Sequence, residues 1–349
     1  MGQKGYCTTH LSFGDKEDCR GWLVGEPNQG LKYMFMMMNG ARIAVGRGAA
    51  AITMAAYQAS LAYANERPQG RDLTSTGKKD VSQQQTLIIN HPDVRRMLLY
   101  QKVVAEGSLG LVLLASRYQD LSTTHPNPAE REKYLLLLEI LTPIAKTYPS
   151  EAGSIAVSNG LQVLGGYGFC SDFILQQYFR DIRIFSIYEG TTGIQSMDLL
   201  GRKVTMSEGK PVQLLSDEIL KTIKVASQYE DLAPYAKKLG AKLELAREVL
   251  QFLMPFALQG DYKRFLSDAT VFMEFFGNIV IGWIWLEMAV RAKSLLDSVD
   301  SRYSAGFLSG KVHAMKFYFK YELPKTRALA EVLTNEDVLT VAAEPKMIE

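Results

Sequence analysis

The segment Arg180-Asp181-Ile182-Arg183-Ile184-Phe185-Ser186-Ile187-Tyr188-Glu189-Gly190-Thr191-Thr192-Gly193-Ile194-Gln195 places a lone carboxylate, Glu189, after an apolar and aromatic run. Thr192 and Gln195 stand at capping-box spacing, so the sequence predicts a helix beginning near Gly193. Burial beside Phe185, Ile187 and Tyr188 would make this carboxylate a stronger base, and the positive end of the helix would weaken it again. A base that lifts a poorly acidic C–H proton needs such a dry, tuned setting. The same spacing also suits a surface carboxylate that merely precedes a capped helix. Spacing alone leaves both readings open.

Other chemistries find no support. The four histidines (His10, His91, His125, His313) form no HExxH pair and meet no carboxylate cluster at ligand spacing, so no metal site is expected. No GxxxxGK[ST] phosphate loop and no Gly-x-Ser-x-Gly elbow occur. Gly166-Tyr167-Gly168 hints at a dinucleotide turn, but Ser171 takes the third glycine's place and no strand is expected before it. Cys7, Cys19 and Cys170 make no CxxC pair and leave an odd thiol, which points to a reducing cytoplasm without structural zinc or disulfides.

With 39 Lys+Arg against 37 Asp+Glu, the net charge of +2 argues against a surface built for nucleic acid or an acidic membrane face. A 47% hydrophobic content in 349 residues indicates a globular chain of roughly two domains. Residues 1–20 are polar, and no targeting segment is expected there. Val271 to Val290 reaches bilayer length but contains Glu274, Asn278 and Glu287. A mid-membrane charge costs about 2.5–3.5 kcal/mol even on lenient scales, so a buried helix in a soluble bundle is predicted instead of a membrane span.

The elements that must position Glu189 are mainly helical. Residues 8–13 and 22–24 read as two short strands closed by the turn cluster 25–30, the remnant of a β-domain over residues 1–29. From Leu31 the period changes: Leu31, Met34, Phe35 and Met38 form one helical face, and the Ala-rich run continues to Arg67. Pro68 and Gly70 stop this helix, and a polar loop covers about 72–86. Further helices are predicted after Pro92 to about 121, at 129–147, and from Pro149 to Leu164, completing a bundle over 30–204. A second helical domain over 205–349 would hold helices at about 214–256, 262–297 and 304–333, followed by a loose tail.

Ile187 to Gln195 resembles the catalytic segment of the acyl-CoA dehydrogenase family. Three more stretches resemble the family in its own order. Gly30 to Arg42 is similar to the start of the first long helix of its C-terminal bundle, and Glu66 to Arg71 to the end of that helix. Leu161 to Phe169 is similar to its flavin-proximal glycine turn. Phe272 to Lys293 and Lys316 to Leu323 resemble the extra helical domain of a bacterial subgroup that includes 3-methylmercaptopropionyl-CoA dehydrogenases. The resemblance implies a mainly α fold: the family's C-terminal four-helix bundle plus an additional helical domain. It also implies that the N-terminal helical domain and most of the middle β-domain are missing.

The resemblance further implies an FAD-dependent reaction in which Glu189 removes the α-proton of an acyl-CoA thioester. The β-carbon passes hydride to flavin N5, giving a trans-2-enoyl-CoA. The Glu189 backbone N–H and a flavin ribityl hydroxyl would hold the developing enolate oxygen. Some members carry the base one position before the helix arginine; here that position is Ala41. By the same resemblance, Arg42 and Gly190 belong to the substrate cleft, with an exposed helix arginine as the alternative for Arg42. Arg67 would reach the FAD pyrophosphate of a neighbouring subunit, where its planar fork suits phosphate, or else act only as a helix C-terminal cation. Gln162, Gly165 and Gly166 would pack on the adenosine side of FAD, or serve only as a helix C-cap. Thr191 and Gln195 would lie by the flavin. His91-Pro92 stands where the family usually has a flavin-contacting glutamine, and Gly193 departs similarly.

The partners implied are an acyl-CoA substrate, an electron-transfer flavoprotein, and either a second copy or an N-terminal-half subunit supplying the absent domains. A non-catalytic helical assembly subunit is the alternative, and an acyl-CoA oxidase forming peroxide is a third reading.

Overall fold

The computed structural model describes residues 1–73, 76–78, 80–298 and 302–347, with backbone alone for Phe35 and Met36. The expected Phe35 contribution to the first apolar face therefore lies outside the described side chains. Helix α1 spans Gly30–Glu66, as the period predicted. Pro68 ends it by excluding the α region for the residue before it: Arg67 is extended at φ −85°, ψ 110°. Helix α2 spans Pro92–Thr124 and begins on a proline whose missing N–H costs nothing at that position.

Helix α3 spans Pro128–Leu164 and is capped by Asn127, whose side chain accepts from the Ala129 amide at 2.9 Å. Two helices were expected here. The chain instead runs unbroken through Pro143 and Pro149. A proline inside a helix removes one ladder bond and crowds the carbonyl four residues earlier. Burial of Leu137, Leu138, Ile140, Leu141, Ile144 and Ala145 against the neighbouring helices outweighs that local cost. Pro149 leaves the Ala145 carbonyl without its ladder donor, and that carbonyl faces Gly46 of α1.

Helix α4 (Leu175–Ile182) leads into the Glu189 segment, and α5 (Thr192–Met197) leaves it, continuing as a wider π-helical turn over Asp198–Lys203. Three long helices expected further on are each divided. Helices α6 (Lys210–Ala226) and α7 (Ala233–Leu258) separate because Pro234 suits only a first turn. Helix α8 (Tyr262–Leu266) is short, and Ser267 follows it, its hydroxyl turned back onto the Arg264 carbonyl at 3.0 Å before α9 (Ala269–Leu296) begins. Pro324 divides α10 (Ala305–Tyr321) from α11 (Lys325–Leu333).

Helix α9 is the central element of the second half. Phe272, Phe275, Ile279, Val280, Ile281, Trp285 and Leu286 are fully buried on several sides of it, as expected for an apolar helix inside a bundle. The polar tips of its neighbours and its own rings are satisfied. Trp285 Nε1 donates to the Val103 carbonyl at 3.0 Å, Trp283 Nε1 to Thr222 Oγ1 at 2.8 Å, and Tyr318 OH to the Asn278 carbonyl at 3.0 Å. The Trp285 bond ties α9 directly to α2, and one apolar cluster runs from α2 and α3 through α6 to α11. Among the described residues, α2 and α9 are long and apolar enough to cross a membrane; 83% of α9's most apolar stretch is buried in the fold.

The two strands expected at 8–13 and 22–24 are not present. Residues 1–29 are irregular, and Leu11, Phe13, Trp22 and Val24 are exposed. A strand needs a partner ladder to occupy its N–H and C=O groups, and the described residues offer none. The segment is held instead by point contacts: the Gln3 amide donates to Asp181, and the Glu26 amide to the Tyr33 hydroxyl at 3.0 Å.

A Cβ placed on Gly46 would lie 1.9 Å from the Ala145 carbonyl oxygen, a backbone atom that cannot rotate aside. Gly46→Ala is therefore expected to destabilise the fold by about 1–3 kcal/mol through overpacking. A shift in the urea unfolding midpoint of that size, with an unchanged denaturant slope, is the measurement.

Candidate functional site

The Glu189 loop is built from its backbone outward. After α4 a 3₁₀ turn over Arg183–Ser186 buries Phe185 and Ser186. Glu189 then takes φ +55° and Gly190 φ +90°. Glycine adopts this left-handed region freely; for a glutamate it costs roughly 1–2 kcal/mol and must be held by its surroundings. Two side chains hold it. Gln195 Nε2 donates to the Glu189 carbonyl at 3.0 Å, and Lys146 Nζ donates to the Gly190 carbonyl at 2.8 Å.

The expected capping box is replaced by a different arrangement. Thr191, not Thr192, caps α5, its Oγ1 accepting from the Ile194 amide at 3.4 Å. Thr192 Oγ1 donates instead to Glu151, and Gln195 is fully buried in service of the Glu189 carbonyl. Helix entry is thus set one residue earlier than the spacing suggested, because the left-handed Glu189–Gly190 pair reverses the chain just before it.

The expected burial of Glu189 is not supplied by this chain. Its side chain is exposed, as are Ile187 and Tyr188 at 47% and 37%. Phe185 alone is buried, and it meets Tyr188 edge to face with ring centroids 5.4 Å apart. The apolar residues flank the carboxylate without closing over it.

Arg42 is neither an exposed helix arginine nor an open cleft wall. It is 6% exposed, and its NH1 group lies 2.7 Å from Asp198 Oδ2 on the π-helical turn that extends α5. The pair is incompletely satisfied: Arg42 Nε and Asp198 Oδ1 are buried without hydrogen-bond partners among the described residues, as are Gln195 Oε1 and Ser186 Oγ. Arg202 lies 3.4 Å from Asp198 Oδ1 as a looser ionic neighbour.

Lys146 is the residue that motif reading missed. It is fully buried in α3, and burial pushes its pKa down to about 8, with the Arg42 charge acting in the same direction and Glu151 and Glu189 opposing. Its signal in the sequence was a lone cation within the apolar run Pro143-Ile144-Ala145-Lys146-Thr147-Tyr148-Pro149.

The remaining predicted residues gather elsewhere. Arg67 lies over the Tyr167 ring at 5.4 Å, and Tyr167 stacks on Phe173 at 5.3 Å. Gly165 ends α3 at φ +60°, and a Cβ built on Gly165 or Gly166 meets nothing within 4 Å. Gln162 and Gly165 line a groove of about 490 Å³ with Gln69, Gly70, Arg71 and His91. From Arg42 to Arg67 along α1 is 25 residues, or about 37 Å at 1.5 Å per residue. The structure therefore brings the predicted residues into two groups: Arg42, Glu189, Gly190, Thr191 and Gln195 at one end of α1, and Arg67, Gln162, Gly165 and Gly166 at the other.

Residues 28–204 match the family model described as acyl-CoA dehydrogenase, C-terminal domain, and residues 215–344 match the one described as acetyl-CoA dehydrogenase C-terminal like. The chain belongs to the acyl-CoA dehydrogenase family. It is 34% identical over 96% of its length to the broad-specificity linear acyl-CoA dehydrogenase FadE5 of Mycobacterium tuberculosis, covering 56% of that protein. It is 35% identical over 91% of its length to the 3-methylmercaptopropionyl-CoA dehydrogenase of Ruegeria pomeroyi, covering 53% of that protein. The chain thus spans about half the length of the curated relatives it matches. Among solved structures, an acyl-CoA dehydrogenase complexed with FAD from Bacillus anthracis superposes with a TM-score of 0.66 at 18% identity, over 93% of this chain and 52% of that one. Caenorhabditis elegans ACDH-11 in complex with C11-CoA superposes with a TM-score of 0.63 at 18% identity, over 90% and 49%. These likenesses establish the shared family fold.

Within the bundle that matches the family domain, the buried Arg42–Asp198 pair joins α1 to the turn that extends α5. Arg42→Met alone leaves Asp198 buried beside one looser cation and is expected to cost about 3–5 kcal/mol, whereas Arg42→Met with Asp198→Leu recovers most of that loss. A double-mutant cycle by chemical denaturation measures both numbers.

Proposed function

We propose that this chain carries the base and part of the cofactor site of an FAD-dependent acyl-CoA dehydrogenase, converting an acyl-CoA thioester to the trans-2-enoyl-CoA. The observation that carries the reading is Glu189 itself: a carboxylate on a left-handed backbone, gripped at two successive carbonyls, inside the stretch that matches the family domain. Strain held in place by dedicated anchors concentrates at sites where a side chain must be aimed.

In this reading Glu189 accepts the α-proton of the thioester. Its own backbone N–H would donate to the thioester oxygen as negative charge develops there, and such a fixed donor stabilises the transition state more than the ground state. Bound flavin would take up the β-hydrogen with its electron pair. The residues present suit that cofactor. The open space before Gly165 and Gly166 is where a ligand could approach the backbone closely, and Arg67 is held over the ring of Tyr167, the next residue along the chain.

Arg42 and Arg67 lie about 37 Å apart along α1, too far for the two groups to share a single cofactor within one chain, so the reading calls for a dimer or for a hetero-oligomer in which another chain completes the cofactor site. We place residues 30–204 as the catalytic bundle and 205–349 as the additional helical domain. An electron-transfer flavoprotein as acceptor and a cytoplasmic setting complete the proposal. The exposure of the Glu189 side chain favours a second reading, a non-catalytic assembly subunit of the family.

Glu189→Gln separates the two. In protein co-expressed with an N-terminal half, turnover of acyl-CoA should fall by about 10²–10⁴-fold with unfolding unchanged, whereas the assembly reading expects no phenotype. Gly166→Ala should leave stability within about 0.5 kcal/mol, since its Cβ meets open space, yet lower the flavin bound per chain. The visible absorbance of the purified protein, set beside its melting curve, checks this.

A further inference from the structure

Lys146 is set between two prolines in the middle of α3, with a side chain that is fully buried. A buried ammonium is held where it gains a specific partner, because taking the charge out of water is otherwise unfavourable. The hydrogen-bond partner is the Gly190 carbonyl, 44 residues along the chain at 2.8 Å, and among the described residues Lys146 forms no ion pair. A cation bonded to a carbonyl and bridged to no carboxylate acts on the geometry and potential of the loop it touches.

We propose that Lys146 is the positioning residue of Glu189: its ammonium fixes the left-handed Glu189–Gly190 turn through the Gly190 carbonyl and aims the carboxylate. The proposal deepens the dehydrogenase reading and rests on it for its catalytic meaning. Gln195 grips the preceding carbonyl, that of Glu189, so the two side chains hold successive carbonyls from two different helices. Gln195 belongs to α5, the six-residue helix that starts just beyond the turn. Lys146 belongs to α3, a 37-residue helix packed along α1 and α2. Lys146 is therefore the anchor that references the turn to the body of the bundle.

Charge-assisted hydrogen bonds are roughly twice as strong as neutral ones, so the grip depends on the Lys146 proton. The charges around it are Arg42 from α1, which favours the neutral amine, and Glu151 from α3 and Glu189 from the loop, which favour the ammonium. Burial dominates, leaving the group to titrate near pH 8 in the folded chain. Because this pKa lies below that of an exposed lysine, the unfolded chain binds more protons between about pH 8 and the ordinary lysine range. The contribution of Lys146 to folding therefore rises with pH through that window, while its grip on Gly190 weakens.

The test is amide hydrogen exchange on the full chain, comparing the parent with Lys146→Met and Lys146→Arg and correcting for intrinsic rates. Lys146→Met should lower protection of the Ile194 and Gln195 amides, which both donate to Thr191, by at least tenfold while leaving α3 and α9 protected, and Lys146→Arg should restore most of it. Unchanged protection in that segment, equal loss along α3, or no recovery in a folded Lys146→Arg protein overturns the proposal. Should Lys146→Met fail to fold, the parent decides: the amide resonance of Thr191, whose peptide group carries the Gly190 carbonyl, should titrate with a midpoint near pH 8, and a flat response from pH 7 to 9.5 overturns it. In flavin-loaded protein, Lys146→Met should lower kcat at least tenfold with KM within twofold. The expected exchange pattern in a protein that never turns over acyl-CoA would uphold the positioning role and remove the dehydrogenase reading instead.

Discussion

The close approach of α1 to α3 at Gly46 is the contact on which the Glu189 end of the molecule depends. The Ala145 carbonyl, left without a ladder donor by Pro149, occupies the space that any side chain at Gly46 would need. Two consequences follow from helix geometry. Residues four apart share a face, so Arg42, one turn before Gly46, is carried into the same interface and reaches Asp198. Lys146, the residue after Ala145, is carried inward on α3 and reaches Gly190. A glycine and a proline, neither of them chemical groups, thus set where the two buried cations of the site can stand.

The π-helical turn after α5 is fastened by the same logic. Asp198 pairs with Arg42 of α1, while Lys203, five residues later, pairs with Glu139 of α3, which also accepts from Asn39 of α1 at 2.8 Å. Buried ion pairs add little net stability against an apolar alternative, since desolvation offsets most of the attraction. What they supply here is register: a turn widened by one residue per hydrogen bond presents Asp198 and Lys203 to two different helices. α5 is only six residues long, too short to hold itself, and its orientation is borrowed from these fastenings.

How much of this was legible in the sequence differs by the kind of interaction. The end of α1 could be read because Pro68 acts on its own neighbour. The continuity of α3 could not, because the penalty of Pro143 and Pro149 is local while the burial that overrides it comes from residues far along the chain. The opposite holds at Pro234 and Pro324, where the apolar period continues across true breaks. The strands expected at 8–13 and 22–24 had suitable residues but no ladder partner, which a single segment cannot reveal. At the site, Glu189 could be singled out in the sequence as a lone carboxylate just before a helix start. Its left-handed backbone and its two anchors could not, because Lys146 carries no motif and Gln195 fitted a capping box equally well on spacing.

The contrast between Glu189 and Lys146 divides the work of the site. The fold spends its interior on a cation and leaves the carboxylate in water, the opposite of what a buried catalytic base requires. The two facts agree if the chain fixes the backbone and something bound to it fixes the dielectric. A loop already locked in its strained form needs no reorganisation when a ligand arrives, so the ligand's own apolar surface is free to dehydrate the carboxylate. Under the proposed function, acyl chain and flavin would close over Ile187, Tyr188 and Glu189 together, and basicity would appear only in the complex. A base that stays hydrated until substrate covers it is also spared the cost of burying an unpaired charge in the empty protein.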